Sequence, residues 1–72
     1  MKPRLLDVVE LLEPQPRAGL AAGRLGTIVE ELTHPHEAYE VEFCDEDGRT
    51  VAQLALRPTQ FAIAIAFARD EE

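Results

Sequence analysis

The sequence contains no tryptophan, one tyrosine and one cysteine. The lone cysteine, Cys44, excludes an internal disulfide, whereas small secreted domains usually carry several. No apolar run approaches the ~20 residues that a membrane-spanning helix needs. The basic opening at Lys2 and Arg4 is not followed by an apolar stretch of signal-peptide length. We therefore expect a cytoplasmic protein that is not associated with a membrane.

Basic residues are also scarce. Seven Lys and Arg residues stand against 14 Asp and Glu residues, which gives a formal net charge of −7. Proteins bind phosphate backbones through Lys and Arg with release of counterions, so nucleic acids and anionic membranes are disfavoured partners. A basic protein is the favoured partner. A second interpretation stays open, in which the charge only keeps the protein soluble.

The length of 72 residues predicts a single domain that covers residues 1–72. A chain of this size buries only about 60% of its unfolded surface, so its core is small. It has no room for a cofactor-binding fold together with a substrate pocket. We expect a protein that is not an enzyme and holds no cofactor.

Five short apolar segments, separated by turn signals, predict a small all-β domain. The clearest pattern lies in residues 38–44, where apolar residues alternate with Glu40 and Glu42, as in a strand with one buried face. Asp47 and Gly48 follow as a strong hairpin signal. The predicted strands cover residues 6–11, 26–32, 38–44, 50–56 and 62–67.

Two connections and a tail complete this prediction. Residues 13–25 form a long loop, Pro58 begins a helical turn before the last strand, and residues 69–72 form a frayed acidic tail. The first segment also fits a helical stripe, although its short length and the prolines that follow favour a strand. The order of elements predicts a five-stranded SH3-like barrel that is partly open.

The last predicted strand is apolar on one side, with Ile63, Ile65 and Phe67 on one face and alanines on the other. Core filling is the favoured role for this stripe, because a small barrel needs its apolar side chains. If the stripe is exposed, it forms an interface. Pairing of this strand with a second copy of the chain is a further possibility.

The acidic residues are the feature that points to function. Glu40 and Glu42 share the outward face of one strand, and further carboxylates lie in the preceding strand and in the following turn. Like charges that face each other across a sheet are destabilising, and a basic partner would relieve them. The candidate partner-binding residues are Glu30, Glu31, Glu40, Glu42, Asp45, Glu46 and Asp47.

Other constellations are incomplete. His34, His36 and Glu37, with Cys44 as the fourth candidate, fall short of a convincing zinc site in a proline-containing turn. The turn that ends at Gly48 lacks the glycine and glutamate spacing of a calcium loop. The acidic neighbours of the cysteine disfavour a reactive thiolate. We predict no metal site and no catalytic residue.

Three motifs stand out along the chain: the Gly-x-x-Gly-Thr-Ile-Val step at 23–29, the Tyr-Glu-Val-Glu-Phe strand at 39–43 and the Asp-Gly turn at 47–48. With them, residues 6–61 resemble a small bacterial family that is known only as a domain of unknown function. The resemblance implies an SH3-like fold and no known activity. It also implies an antitoxin or immunity role, since some members are thought to be encoded beside toxins.

The segment 23–29 is also similar to the KOW motif of ribosomal proteins and transcription elongation factors. That similarity implies RNA, ribosome or polymerase binding through the loop around Gly23 and Arg24. It rests on two glycines in seven residues, which any tight turn into a strand requires. The KOW-like module is therefore the alternative to a binding module with an acidic face.

Overall fold

The computed structural model describes residues 1–67, which form five antiparallel strands and two 3-10 turns. The strands are β1 (Val8–Leu11), β2 (Leu25–Leu32), β3 (Ala38–Cys44), β4 (Thr50–Leu56) and β5 (Phe61–Ile65). The 3-10 turns cover Pro16–Ala18, between β1 and β2, and Pro58–Gln60, between β4 and β5.

All five strands belong to one sheet, in the order β4-β3-β2-β1-β5. Strand β1 pairs with β2 on one side and with β5 on the other, so the last strand returns to lie beside the first. The sheet is not closed, and β4 and β5 form its two edges. This arrangement confirms the predicted all-β, five-stranded, partly open fold with a helical turn before the last strand. The likeness to SH3 barrels stays a prediction.

The bounds of β3 and β4 are those predicted from their alternation and their turn residues. The first segment is a strand rather than a helix, but it begins at Val8 instead of residue 6. Leu6 adopts a φ of 73°, which lies outside the extended region that a strand requires. The predicted long loop between β1 and β2 is present, but it covers residues 12–24 instead of 13–25.

The predicted bounds of the last strand, 62–67, are wrong at both ends. Strand β5 begins at Phe61, which pairs with Leu11 and is only 4% exposed, and it ends at Ile65. The side chain of Phe61 fills the core, so the helical turn predicted for residues 58–61 is limited to Pro58–Gln60 and the chain is already extended at Phe61. The tail predicted for residues 69–72 lies outside the described residues.

Side chains on one side of the sheet, which we call the inner face, form the hydrophobic core. The buried alternation predicted in β3 is present, with Tyr39 packed edge-on against Phe61 at a ring-centroid distance of 5.7 Å. The opposite side of the sheet is the outer face. The core residues are Val9, Leu11, Leu20, Ile28, Tyr39, Val41, Phe43, Leu56 and Phe61.

Gly26 allows β2 to lie close against the core side chains of β3. A Cβ atom at this position would be 2.7 Å from Cε2 of Phe43 and 2.8 Å from Cγ1 of Val41. Both distances are far shorter than ordinary carbon contacts. The glycine is therefore required by packing and not by a turn.

The long loop is ordered by its own contacts and by one core side chain. Gln15 and Leu20 exchange backbone hydrogen bonds of 2.8 and 3.1 Å around the first 3-10 turn. Gly19 ends that turn with a φ of 72°, a conformation that glycine adopts without steric penalty. Leu20 is only 3% exposed, so the loop adds a side chain to the core.

A buried carboxylate joins the two ends of the described chain. Asp7, directly before β1, is fully buried and accepts hydrogen bonds from the backbone N–H of Arg4 at 3.0 Å and of Phe67 at 2.9 Å. Its own backbone carbonyl accepts from the N–H of Ile28 at 3.0 Å. One residue thus connects the N-terminal segment, the start of β1, strand β2 and the segment after β5.

We expect Gly26→Ala to destabilise the domain by about 1–3 kcal/mol, because overpacked methyl groups force shifts in a close-packed core. Urea unfolding followed by circular dichroism would measure the loss. In a Phe43→Leu background the added methyl group should cost less, since the closest ring atoms are gone. A Gly26→Ala variant within 0.5 kcal/mol of the wild type would contradict this packing, taking ~0.5 kcal/mol as the usual limit for neutral changes.

We expect Asp7→Ala to lower the free energy of unfolding by roughly 3 kcal/mol, because it leaves two backbone N–H groups without this acceptor in a buried site. Chemical unfolding would measure the loss. Asp47→Ala is the matched control, since Asp47 is exposed. Equal stability of the two alanine variants would show that the carboxylate of Asp7 does not hold the chain ends together.

Candidate protein-binding face

Two carboxylates lie directly opposite each other on the outer face of the sheet. Glu30 of β2 and Glu40 of β3 are Cα partners in the antiparallel register. Glu40 alternates with the buried residues of β3, which places it and Glu42 on the outer face. Glu30 is exposed, and the other two are half-buried. We call these three residues the acidic face.

Strand β4 supplies neutral partners to the acidic face. The amide Nε2 of Gln53 donates to Oε2 of Glu40 over 3.5 Å, and the hydroxyl of Thr50 donates to Oε2 of Glu42. Neither donor carries a charge. The contacts therefore position the carboxylates and leave their negative charge in place.

Glu31 lies elsewhere, although the sequence groups it with Glu30. It is the Cα partner of Tyr39, so its side chain is on the inner side at the end of the sheet. Its Oε2 accepts a hydrogen bond of 2.7 Å from the backbone N–H of Leu5. Its carboxylate therefore holds the N-terminal segment and is not part of the acidic face.

The turn carboxylates form a separate group between β3 and β4. Oδ1 of Asp45 accepts from the backbone N–H groups of Asp47 and Arg49, both at 2.9 Å, and thereby closes the turn. Gly48 has a φ of 82°, as the hairpin signal predicted. Glu46 and Asp47 are exposed at the tip. The carboxylate of Asp45 therefore stabilises the turn. Glu46 and Asp47 lie beside the acidic face and are not part of it.

Glu10 is an outer-face carboxylate that was not among the predicted site residues. It lies between buried Val9 and Leu11 in β1, is exposed, and pairs with Leu25 and Ala62. The signal was present in the sequence as one acidic residue between two apolar ones.

The apolar stripe predicted for the last strand is divided between the two faces. Ile63 is half-buried opposite Val9, whereas Ile65 pairs with Val8 and is 61% exposed. A register shift that inserts Ala64 between these pairs turns Ile65 to the outer face. The prediction of one common face and a core role is therefore wrong for Ile65, and the core role is also wrong for Phe67, which is 54% exposed and lies beyond β5. Pairing of β5 with another chain stays a prediction.

A pocket of about 300 Å³ lies at the end of the sheet where β2, β3 and β4 meet. Apolar residues from the three strands and from the β2–β3 turn line it, and His34, His36, Arg57 and Gln60 supply polar groups. The sequence indicated the two histidines only as candidates for a metal site. Their common location beside Arg57 depends on how the turn folds against the end of β4.

Glu37, the third candidate metal ligand, is engaged elsewhere. Its Oε2 accepts a hydrogen bond from the hydroxyl of Tyr39. Within residues 1–67, no group of three or more His, Cys, Asp or Glu side chains is placed to hold a metal ion. The thiol of Cys44 is free and exposed.

The loop that carries the KOW similarity is attached to β3. Nη2 of Arg24 donates to the backbone carbonyl of Cys44 over 3.1 Å, and the residue is half-buried. Gly23 provides the tight turn with a φ of 91°. The guanidinium that the KOW-like alternative needs for RNA thus has a structural contact.

Burial raises the pKa of Tyr39 from 10.0 to about 12, and its hydrogen bond to Glu37 and the negative charges of Glu37 and Glu31 add to the effect. Each of these causes disfavours the tyrosinate, which is the charged form. Neutral Tyr39 therefore stabilises the fold fully below pH ~10, and this contribution is lost as the pH rises through about 12.

We expect absorbance at 295 nm to show native ionisation of the single tyrosine at a pH about two units above that of the urea-unfolded chain. Glu37→Gln should lower the native midpoint, because it removes a negative charge and a strong acceptor. Glu13→Gln is the control, since Glu13 is not among the groups that raise the pKa of Tyr39. Identical native and unfolded midpoints would contradict the buried position of this hydroxyl.

Among residues 1–67, no helix is long and apolar enough to cross a membrane.

In a comparison with known families, residues 5–63 match the model described as Domain of unknown function (DUF4926). No curated protein and no solved structure matches the chain. The family match bears on neither the antitoxin role nor the KOW-like alternative. It spans most of the 72 residues and confirms the predicted resemblance to an uncharacterised family. The chain therefore belongs to the DUF4926 family.

Proposed function

We propose that this domain is a non-enzymatic binding module whose acidic face docks on a basic protein. The observation that carries the proposal is the direct opposition of Glu30 and Glu40 on the outer face. Like charges in this position destabilise a sheet by up to ~1 kcal/mol. A free domain gains nothing from the pair, whereas a cationic partner turns the repulsion into attraction.

The surroundings of the pair support this proposal. Gln53 and Thr50 orient the carboxylates of Glu40 and Glu42 without neutralising them. A net charge of −7 adds long-range steering of a basic partner. Association should therefore be fast and sensitive to salt.

Within this class, we propose a masking role of the antitoxin or immunity type. Carboxylates spread over an open sheet face are suited to cover a cationic surface, and they lack the convergent geometry of an acid–base pair in a cleft. Such a role needs no cofactor and no catalytic residue. The partner would be a basic protein whose own active surface is covered in the complex.

The KOW-like alternative, binding of RNA, the ribosome or the transcription machinery, is less well supported. Arg24 is bound to the carbonyl of Cys44, and the face around Glu30 and Glu40 would repel phosphate. The binding experiment below distinguishes this alternative from the acidic-face proposal by nuclease treatment.

We expect the double variant Glu30→Gln/Glu40→Gln to bind its partner more weakly and to be more stable alone. A tagged domain would capture one basic protein from native lysate at low salt, release it at high salt and ignore nuclease treatment. The variant should retain at least tenfold less of that protein, given the coupling energies of ~1.5 kcal/mol or more seen for close charge pairs. Its free energy of unfolding should rise by about 0.2–1 kcal/mol.

Glu13→Gln/Glu46→Gln is the matched control, because it removes the same charge from residues outside the acidic face. It should bind like the wild type. If both double variants lost partner binding equally, the loss would follow from net charge alone, and the acidic face would not be the binding site. Recovery of RNA or ribosomal proteins that disappear with nuclease would favour the KOW-like alternative instead. Inhibition of the purified captured protein by equimolar wild-type domain would test the masking role.

A further inference from the structure

The pocket at the end of the sheet adjoins the acidic face directly. Ala55 of β4 is the Cα partner of Glu40, and Ala38 of β3 precedes Glu40 by two residues on the same face. Leu32 of β2 pairs with Ala38 and lies two residues beyond Glu30. These three apolar residues line the pocket, together with Pro35 from the turn. The outer face thus presents an apolar depression followed by a pair of carboxylates.

We propose that this pocket receives an aromatic side chain of the basic partner, next to a Lys or Arg that contacts Glu30 and Glu40. The inference rests on the proposed function and adds the kind of residue that the partner must present. Buried aromatic anchors in pockets, surrounded by polar contacts, carry most of the energy of many protein interfaces.

The size of the pocket and its polar groups select this occupant. A volume of about 300 Å³ is at the low end for ligand pockets and suits one large side chain. Arg57 is among the lining residues, and a guanidinium interacts favourably with the face of an aromatic ring. The guanidinium of Arg57 would repel a Lys or Arg that entered the pocket itself.

The distance between the pocket residues and the carboxylates along each strand predicts which residues a partner segment must carry, and how far apart. Glu40 and Ala38 are two residues apart in an extended strand, which corresponds to about 6.6–6.8 Å. Glu30 and Leu32 repeat the same spacing on the neighbouring strand. An extended partner segment would match it with an aromatic residue and a Lys or Arg two positions away.

Three synthetic peptides test the inference by NMR titration of the 15N-labelled domain. The first is acetyl-Trp-Gly-Lys-Gly-Lys-amide, the second has Ala in place of Trp, and the third has Gln in place of both Lys. We expect the first to bind roughly tenfold more tightly than the second, given the value of burying an aromatic side chain. It should shift the amide signals of His36, Ala38 and Ala55.

Two variants of the domain locate the binding. Ala55→Leu fills the exposed side of the pocket and should remove the advantage of the Trp peptide. Ala62→Leu is the matched control, because it adds the same atoms to an exposed outer-face position on the opposite edge strand, and it should preserve that advantage.

The outcomes separate the pocket from the acidic face. Equal binding of the Trp and Ala peptides, with loss for the Gln peptide, would overturn the pocket and leave the proposed function standing. Equal binding of the Lys and Gln peptides would overturn the link to a basic partner and with it the proposed function. Binding of none of the peptides at millimolar concentration would overturn the inference, as would an advantage of the Trp peptide that persists in Ala55→Leu.

Discussion

The buried carboxylate of Asp7 stands at the start of β1, the strand on which the whole arrangement depends. Strand β1 has only four residues, yet it pairs with both β2 and β5 and so joins β5 to the rest of the sheet. Asp7 holds the segments on either side of this strand through the backbone N–H groups of Arg4 and Phe67. A domain with so small a core needs such polar contacts, because hydrophobic burial alone gives it only a small free energy of unfolding.

The two faces of the sheet carry different kinds of side chain. The inner face holds the apolar core and the outer face carries the opposed pair of Glu30 and Glu40. Like charges in this position are unfavourable in the free domain, and β4 contacts the acidic face only through the neutral side chains of Gln53, at Glu40, and Thr50, at Glu42. In the proposed complex, the apolar pocket beside the pair would supply affinity, since exposed charges give association rate and specificity more than affinity.

Much of the fold follows from local patterns, whereas the site follows only in part. The alternation in β3 and the Asp-Gly turn after it give both strands of that hairpin their bounds, because these signals act over a few residues. Glu40 and Glu42 were placed correctly for the same reason. Glu31, Ile65 and the His34–Arg57 pocket could not be placed, because each depends on contacts between segments that are distant in the sequence.

The sequence by itself determined the all-β class, the number of strands, the acidic charge and the residues that alternate across β3. Only the tertiary structure decided which side of the sheet each remaining side chain occupies. The extra residues Val29 in β2 and Ala64 in β5 shift the register by one, and a shift of one moves a side chain to the opposite face. Packing across the strands sets where such bulges occur, and no local period in the sequence contains that information.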